Sequence, residues 1–251
     1  MVHAQEDKSF LQVHNLRKAY GHIQALNGVS FSAACGEILA IVGDNGAGKS
    51  TLIKILSGDI CPDAGSIRLD NKEYRKMNPR LAHQCGIATV YQDLSLVNTL
   101  NVWENIFLGH EHRKLGFLAA KKMRQEAEEL LIRLQINIPD TNLPVSFLSG
   151  GQRQAVSIAK AIHQGGRLII FDEPTAAMGI KETKSIQKIM QNLASQNCAV
   201  LIISHNIQQV FQISQRICVL GHGQVLASVK TAKTPAEEIV SMIVNGSGIC
   251  V

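Results

Sequence analysis

The stretch Gly43-Asp-Asn-Gly-Ala-Gly-Lys-Ser50 fits the pattern G-x-x-x-x-G-K-[ST] in full, and its residue types point to phosphate binding. Gly43, Gly46 and Gly48 let successive backbone N–H groups wrap an anion. Lys49 sets a cation against the β- and γ-phosphates, and the Ser50 hydroxyl, with Thr51 beside it, suits Mg²⁺. An acidic pair stands elsewhere, where the apolar run Leu168–Phe171 ends in Asp172 and Glu173. A carboxylate at the tip of a buried strand is costly unless it is paired or faces a cation. Asp172 is therefore read as a Mg²⁺ contact. Glu173 is read as a base or orienter for an attacking water, a role worth ~10²–10⁴ in rate.

Three more residues invite both a chemical and a plain reading. Gln92 leaves the apolar run that begins at Gly86; its amide can reach a metal or a water, or be simply the polar end of a strand. His205 follows the run Ala199–Ser204 and reads as catalytic or as structural. Tyr20, in KAYGHIQAL, either stacks on a nucleotide base or fills an interface. A second anion site is written into LSGGQRQAVSIAKA (Leu148–Ala161). There Ser149, Gly150, Gly151 and Gln152 open a helix with bare N–H groups, and Ala155, Ile158, Ala159 and Ile162 form its apolar face.

The surrounding pattern supplies elements to position these residues. FLQVHNL, GVSFSA, EILAIVG, GSIRLDN and GIATVYQ read as strands, and KSTLIKILSG as a helix ended by Gly58. From about Leu94 to Gln164 no strand pattern appears; Met123, Ala127, Leu130, Leu131 and Leu134 mark one helix face. Alternation then resumes with RLIIFDE, the amphipathic KETKSIQKIMQNLASQ, CAVLIIS and NIQQVFQISQ, a hairpin around GHGQ, and a helix from Pro235. Such alternation predicts a doubly wound α/β core.

Composition narrows the class further. With 251 residues, 45% of them hydrophobic, the chain can bury a sizeable core. No apolar run approaches the ~18 residues of a membrane span, and the start, MVHAQEDKSF, lacks the apolar stretch of a secretory signal, so a soluble cytoplasmic protein is expected. A net charge of +5 with 4% aromatic residues does not predict nucleic-acid binding. Six scattered cysteines form no C-x-x-C pair and are expected as reduced thiols, Cys198 and Cys218 among them in the core; Cys250 is misplaced for prenylation. His110, His112, Arg113, Lys114, Lys121 and Lys122 are expected to form a solvated basic face.

Taken together, these motifs resemble the ATP-binding subunits of ABC transporters over nearly the whole chain. LSGGQRQ matches the family's signature motif, far more specific than a phosphate loop alone. The order also matches: aromatic loop at Tyr20, Walker A from Gly43 to Thr51, Q-loop at Gln92, signature at Leu148–Gln154, Walker B at Leu168–Asp172, then Glu173 and His205. The resemblance implies ATP and Mg²⁺ as ligands. Nucleotide contacts would come from Gly43, Asp44, Asn45, Gly46, Ala47, Gly48, Lys49, Ser50, Thr51 and Tyr20, and from Ser149, Gly150, Gly151 and Gln152 of a second chain. Metal contacts would come from Ser50, Gln92 and Asp172, and catalysis from Glu173, His205, Lys49 and Gln92.

It also implies one domain over 1–251: a nucleotide-binding core with its β lobe from 1–93 and 165–251, and a helical signature lobe from 94–164. The implied fold is a P-loop NTPase core with an N-terminal antiparallel β lobe and an inserted helical lobe. The implied partners are a second copy or a second ATPase subunit, membrane permease subunits at the cytoplasmic face of the inner membrane, and indirectly an external solute-binding protein. GDNGAGKSTLIKILSG, YQDLSLVNTLNVWENIFLG and FDEPTAAMGIKET resemble the ATPases of bacterial monosaccharide importers of ribose, xylose and fructose type. Many of these fuse two ATPase domains in one chain; here there is one. In the D-loop, Ala176-Ala177-Met178-Gly179 stands where most ABC ATPases have Ala-Leu-Asp.

Rival readings are weaker. A GTP switch needs N-K-x-D, and the nearest match, Asn71-Lys-Glu-Tyr74, lacks the aspartate. A module using ATP only to hold a dimer together would have no use for Glu173. An exporter, or an importer of another solute, stays open, because none of these residues touches cargo.

Overall fold

The computed structural model describes residues 9–114, 116–175 and 178–246. Two long strands, β1 (Ser9–Tyr20) and β2 (Ile23–Ala34), pair antiparallel, and β4 (Ala64–Leu69) and β5 (Lys72–Tyr74) extend them into a four-stranded sheet of order β2-β1-β4-β5. Between them in sequence lie β3 (Ile38–Val42) and α1 (Lys49–Leu56). The order continues with α2 (Pro79–Gln84), β6 (Ile87–Val90), α3 (Val102–Phe107), a two-residue hairpin β7 (Arg113–Lys114) and β8 (Phe117–Leu118), α4 (Ala120–Arg133) and α5 (Gly150–His163). It closes with β9 (Leu168–Asp172), α6 (Ile180–Ser195), β10 (Ala199–Ile203), α7 (Ile207–Ile213), β11 (Arg216–Gly221), β12 (Gln224–Lys230) and α8 (Ala236–Asn245).

The central sheet runs β12-β11-β3-β10-β9-β6, parallel except for the antiparallel edge strand β12. Strands β3 and β10 are buried along their whole length, as near-continuous apolar runs should be when both faces of a parallel sheet are covered. One core joins β1, β2 and α1 to the sheet; another joins α3, α4, α5 and α6 to its other face through Phe107, Met123 and Phe171. The predicted face Met123, Ala127, Leu130, Leu131 and Leu134 is buried as a unit.

The expected α/β architecture is therefore present, with two corrections. The stretch from 94 to 164 is not strand-free, because β7 and β8 form a minimal hairpin there. The basic face is only partly solvated. His112 lies 2.8 Å from a Glu126 oxygen and edge-on to Phe107, while His110 stacks on His83 with ring centroids 5.0 Å apart. Cys218 is buried as expected; Cys198 is only half-buried, and Cys35, Cys61, Cys85, Cys198 and Cys218 are all free. Ala176, Ala177 and Cys250 lie outside the described residues, as does most of MVHAQEDKSF.

Candidate nucleotide site

Strand β3 delivers the chain into the glycine-rich loop, and α1 carries it away. Each glycine has its own steric reason. Gly48 caps α1 with φ at +105°, and a Cβ there would sit 2.5 Å from the Ala25 carbonyl oxygen and 2.7 Å from Leu26 Cδ2. Gly46, at φ +84°, faces open space, while a Cβ on Gly43 would collide with the Leu220 carbonyl. The turn between β11 and β12 backs the loop. The Gly223 N–H donates to the Ala47 carbonyl at 3.1 Å, and the Gly223 carbonyl accepts from Asn27 N–H at 2.7 Å.

Lys49 folds over the loop, with Nζ donating to the Gly43 carbonyl at 2.8 Å and to the Asp44 carbonyl at 2.9 Å. Burial lowers its pKa, an effect opposed by the negative charges of Glu173, Asp44 and Asp172. Asp172 is shifted the other way: burial raises its pKa, Glu173 adds to the rise, and Lys49 offsets part of it. A half-buried carboxylate whose surroundings resist its ionisation is one that a cation would stabilise.

These groups share one cleft of about 390 Å³. Asn45, Gly46, Gly48, Lys49, Ser50 and Thr51 line it together with Gln92, Asp172, Glu173 and Tyr20. Gly43 and Ala47 are buried beneath the loop, whereas Asp44 is exposed. The hydroxyl of Ser50, the amide oxygen of Gln92 and the Asp172 carboxylate thus offer hard oxygen donors in one space, a set that fits Mg²⁺. Glu173 sits in the left-handed backbone region at φ +51°, unusual for a residue with a side chain. Its N–H donates to the Ile203 carbonyl at 3.0 Å and its carboxylate lies 2.8 Å from His205 Nδ1, so His205 enters the site through Glu173.

Sequence reasoning missed Ile23, Gln24 and Ala25, which line the same cleft as Tyr20. The signal available in the sequence was an isoleucine directly after the Gly21-His22 turn; its side chain is 71% exposed.

The Ser-Gly-Gly segment is elsewhere. Ser149 caps α5, its hydroxyl accepting from Gln152 N–H at 3.3 Å while its own N–H donates to Gln152 Oε1 at 3.0 Å. Ser149, Gly151 and Gln152 line a separate opening of about 230 Å³, alongside Lys181 and Glu182, and a Cβ on Gly150 would meet nothing within 4 Å. One chain therefore carries two anion-ready surfaces that do not share a cleft. A third depression, of about 320 Å³, runs beside Gln92 between α2, β6 and α5, with Ala82, Tyr91, Asp93, Leu94, Ser157 and Lys160 on its walls.

Comparison with known proteins agrees with this arrangement. The family model described as ABC transporter matches residues 26–176. The chain is 43% identical to the xylose/arabinose import ATP-binding protein of Sulfolobus acidocaldarius over 235 residues, covering 94% of each. It is 38% identical to the ribose import ATP-binding protein of Clostridium tetani over 96% of this chain, but spans only 48% of that relative. Among solved structures, it is similar to an ATP-binding cassette of an ABC transporter in its ADP conformation, with a TM-score of 0.81 and 27% identity over 94% of this chain and 95% of that one. It is also similar to a dimeric cassette in a post-hydrolysis state bound to ADP and Pi, with a TM-score of 0.75 and 28% identity over 88% of this chain and 98% of that one. The cleft, its motif order and these likenesses lead to one assignment: the chain belongs to the ABC transporter family.

Proposed function

We propose that this chain is the ATP-hydrolysing subunit of an importer for a small sugar, working as a pair beneath membrane permease subunits. The observation that carries the reading is the shared cleft, where the Lys49 loop faces Asp172 and Glu173 and His205 is bonded to Glu173. The loop N–H groups and Lys49 hold the ATP phosphates, and Tyr20 stacks on the base. Ser50, Gln92 and Asp172 would hold Mg²⁺, which would supply charge neutralisation for phosphoryl transfer. Glu173 accepts a proton from the attacking water as its oxygen bonds to the γ-phosphorus and the bond to ADP breaks. His205 fixes the orientation of that carboxylate.

Ser149, Gly150, Gly151 and Gln152 have no phosphate of their own chain to meet, so they cap the γ-phosphate held by a second copy. A helix terminus contributes only about 0.3–2 kcal/mol toward an anion, which is why the nucleotide must join loop and helix for the pair to close. The depression beside Gln92 is then the seat for a permease segment, placed where closure of the cleft moves it. In this reading the chain sits at the cytoplasmic face of the inner membrane, held there through its partners. No helix among the described residues is long and apolar enough to cross a membrane. The import names of the relatives support a monosaccharide cargo, delivered by an external binding protein. Reconstitution with the permease tests this: MgATP should drive uptake of a pentose or hexose, and Glu173→Gln should stop it. Uptake of no sugar, with ATP-driven efflux instead, would favour the exporter reading.

A further inference from the structure

Position 179 carries a glycine, so the first turn of α6 has no side-chain cap of its own. Glu182, three residues on, reaches back and its Oε2 accepts the Gly179 N–H at 3.3 Å, half of a reciprocal capping arrangement. The same side chain does something else. Its stem lies across Gly151, so close that a Cβ on Gly151 would sit 3.0 Å from Glu182 Cβ and Cγ and 3.3 Å from Cδ. A side chain at 151 would therefore press on the Glu182 stem and make it give by a few tenths of an ångström. Glu182 also lines the opening that holds Ser149 and Gln152.

We propose that Glu182 is a positioning residue whose stem sets the Ser149–Gly151 turn against the first turn of α6, tying each chain's capping turn to the segment that follows Glu173. The idea rests on the shared-nucleotide reading above. In that reading Glu173 of one chain serves one nucleotide while Ser149 of the same chain serves the other. Glu182 is nine residues beyond Glu173 in sequence and its stem packs beside Gly151, so it links the start of α6 to the capping turn within a single chain. Removing its stem leaves Ser149 and Gln152 bonded to each other but frees the turn to tilt. The cradle of the chain's own Lys49 is untouched.

The test uses the full chain in the Glu173→Gln background, where bound ATP is not consumed. Light-scattering mass is followed as MgATP is titrated, and a fluorescent ATP analogue reports single-chain affinity at low protein concentration. Glu182→Ala should raise the ATP concentration for half-dimerisation by at least about fivefold while single-chain affinity holds. Glu182→Gln, which keeps both stem and acceptor, should stay within about twofold of the parent. The proposal is overturned if Glu182→Ala dimerises at the parental midpoint, if its single-chain affinity drops in step, or if Glu182→Gln is as impaired as Glu182→Ala. Ser149→Arg separates the two levels: if that variant still dimerises with ATP, the shared-nucleotide reading falls, whatever Glu182 does.

Discussion

The Glu173 carboxylate stands 2.8 Å from His205 Nδ1, joining the ends of β9 and β10 across the front of the cleft. The histidine ring is 73% exposed, so it is not there to fill a core. Its bond restrains a carboxylate whose backbone already sits at φ +51°.

Replacing Glu173, the proposed base, should act on the rate and spare binding. Glu173→Gln is expected to lower ATP turnover by ~10²–10⁴ with nucleotide affinity retained, and His205→Ala to lower kcat with little change in KM. Steady-state phosphate release measures both. A His205→Ala enzyme at parental kcat would remove the orienting role.

Asp172 gives a pH signature with a definite sign. Burial first, then the Glu173 charge, raise its pKa above the unfolded value of 3.8. The protonated form is the one the fold favours, so this contribution is present below pH 3.8 and is lost as pH rises through the folded value. At neutral pH without Mg²⁺ or nucleotide, Asp172→Asn should melt no lower than the parent, with any advantage shrinking as the pH is taken down toward 3.8, and it should hydrolyse ATP poorly. A clear drop in Tm at pH 7 would contradict the burial argument.

Gly48→Ala should fail at two levels. The added methyl meets the Ala25 carbonyl and Leu26 at a backbone angle of +105°, which L side chains resist. A destabilisation of about 1–3 kcal/mol and loss of fluorescent-nucleotide binding are expected, read by urea unfolding and titration.

Ser149→Arg should leave the nucleotide affinity of a single chain close to parental, because Ser149 is not in the Lys49 cleft. ATP-dependent doubling of mass and turnover should both be lost. Parental turnover in this variant would rule out the paired arrangement.

The thiols should separate by burial. Burial pushes Cys218 up to about 12, so it stays protonated and shielded, whereas Cys61 is exposed. Maleimide labelling followed by peptide mass analysis should mark Cys61 in the native chain and reach Cys218 only after unfolding.

What the sequence made legible was local. The phosphate loop, the acidic tip of β9 and the capped start of α5 are each fixed by neighbours within a few residues, and all lie where their spacing implies. Helix α2 escaped because six residues are too few for a periodicity, although Asn78 and Pro79 form an N-cap and first-turn signal in plain view. The contact of Glu182 with Gly151, the bond of His112 to Glu126 and the separation of the two anion surfaces all depend on chain segments meeting in three dimensions. No spacing rule reaches them.

Strand β10 contributes only aliphatic side chains, yet it lies between β3 and β9. The phosphate loop that leaves β3 and the Asp172 that ends β9 therefore start from strands two ladder spacings apart, roughly 9.5 Å. That aliphatic rib is the ruler for the cleft: its width sets the spacing between the phosphate loop and the acidic tip, and thinning or displacing it would detune a site to which it lends no polar side chain.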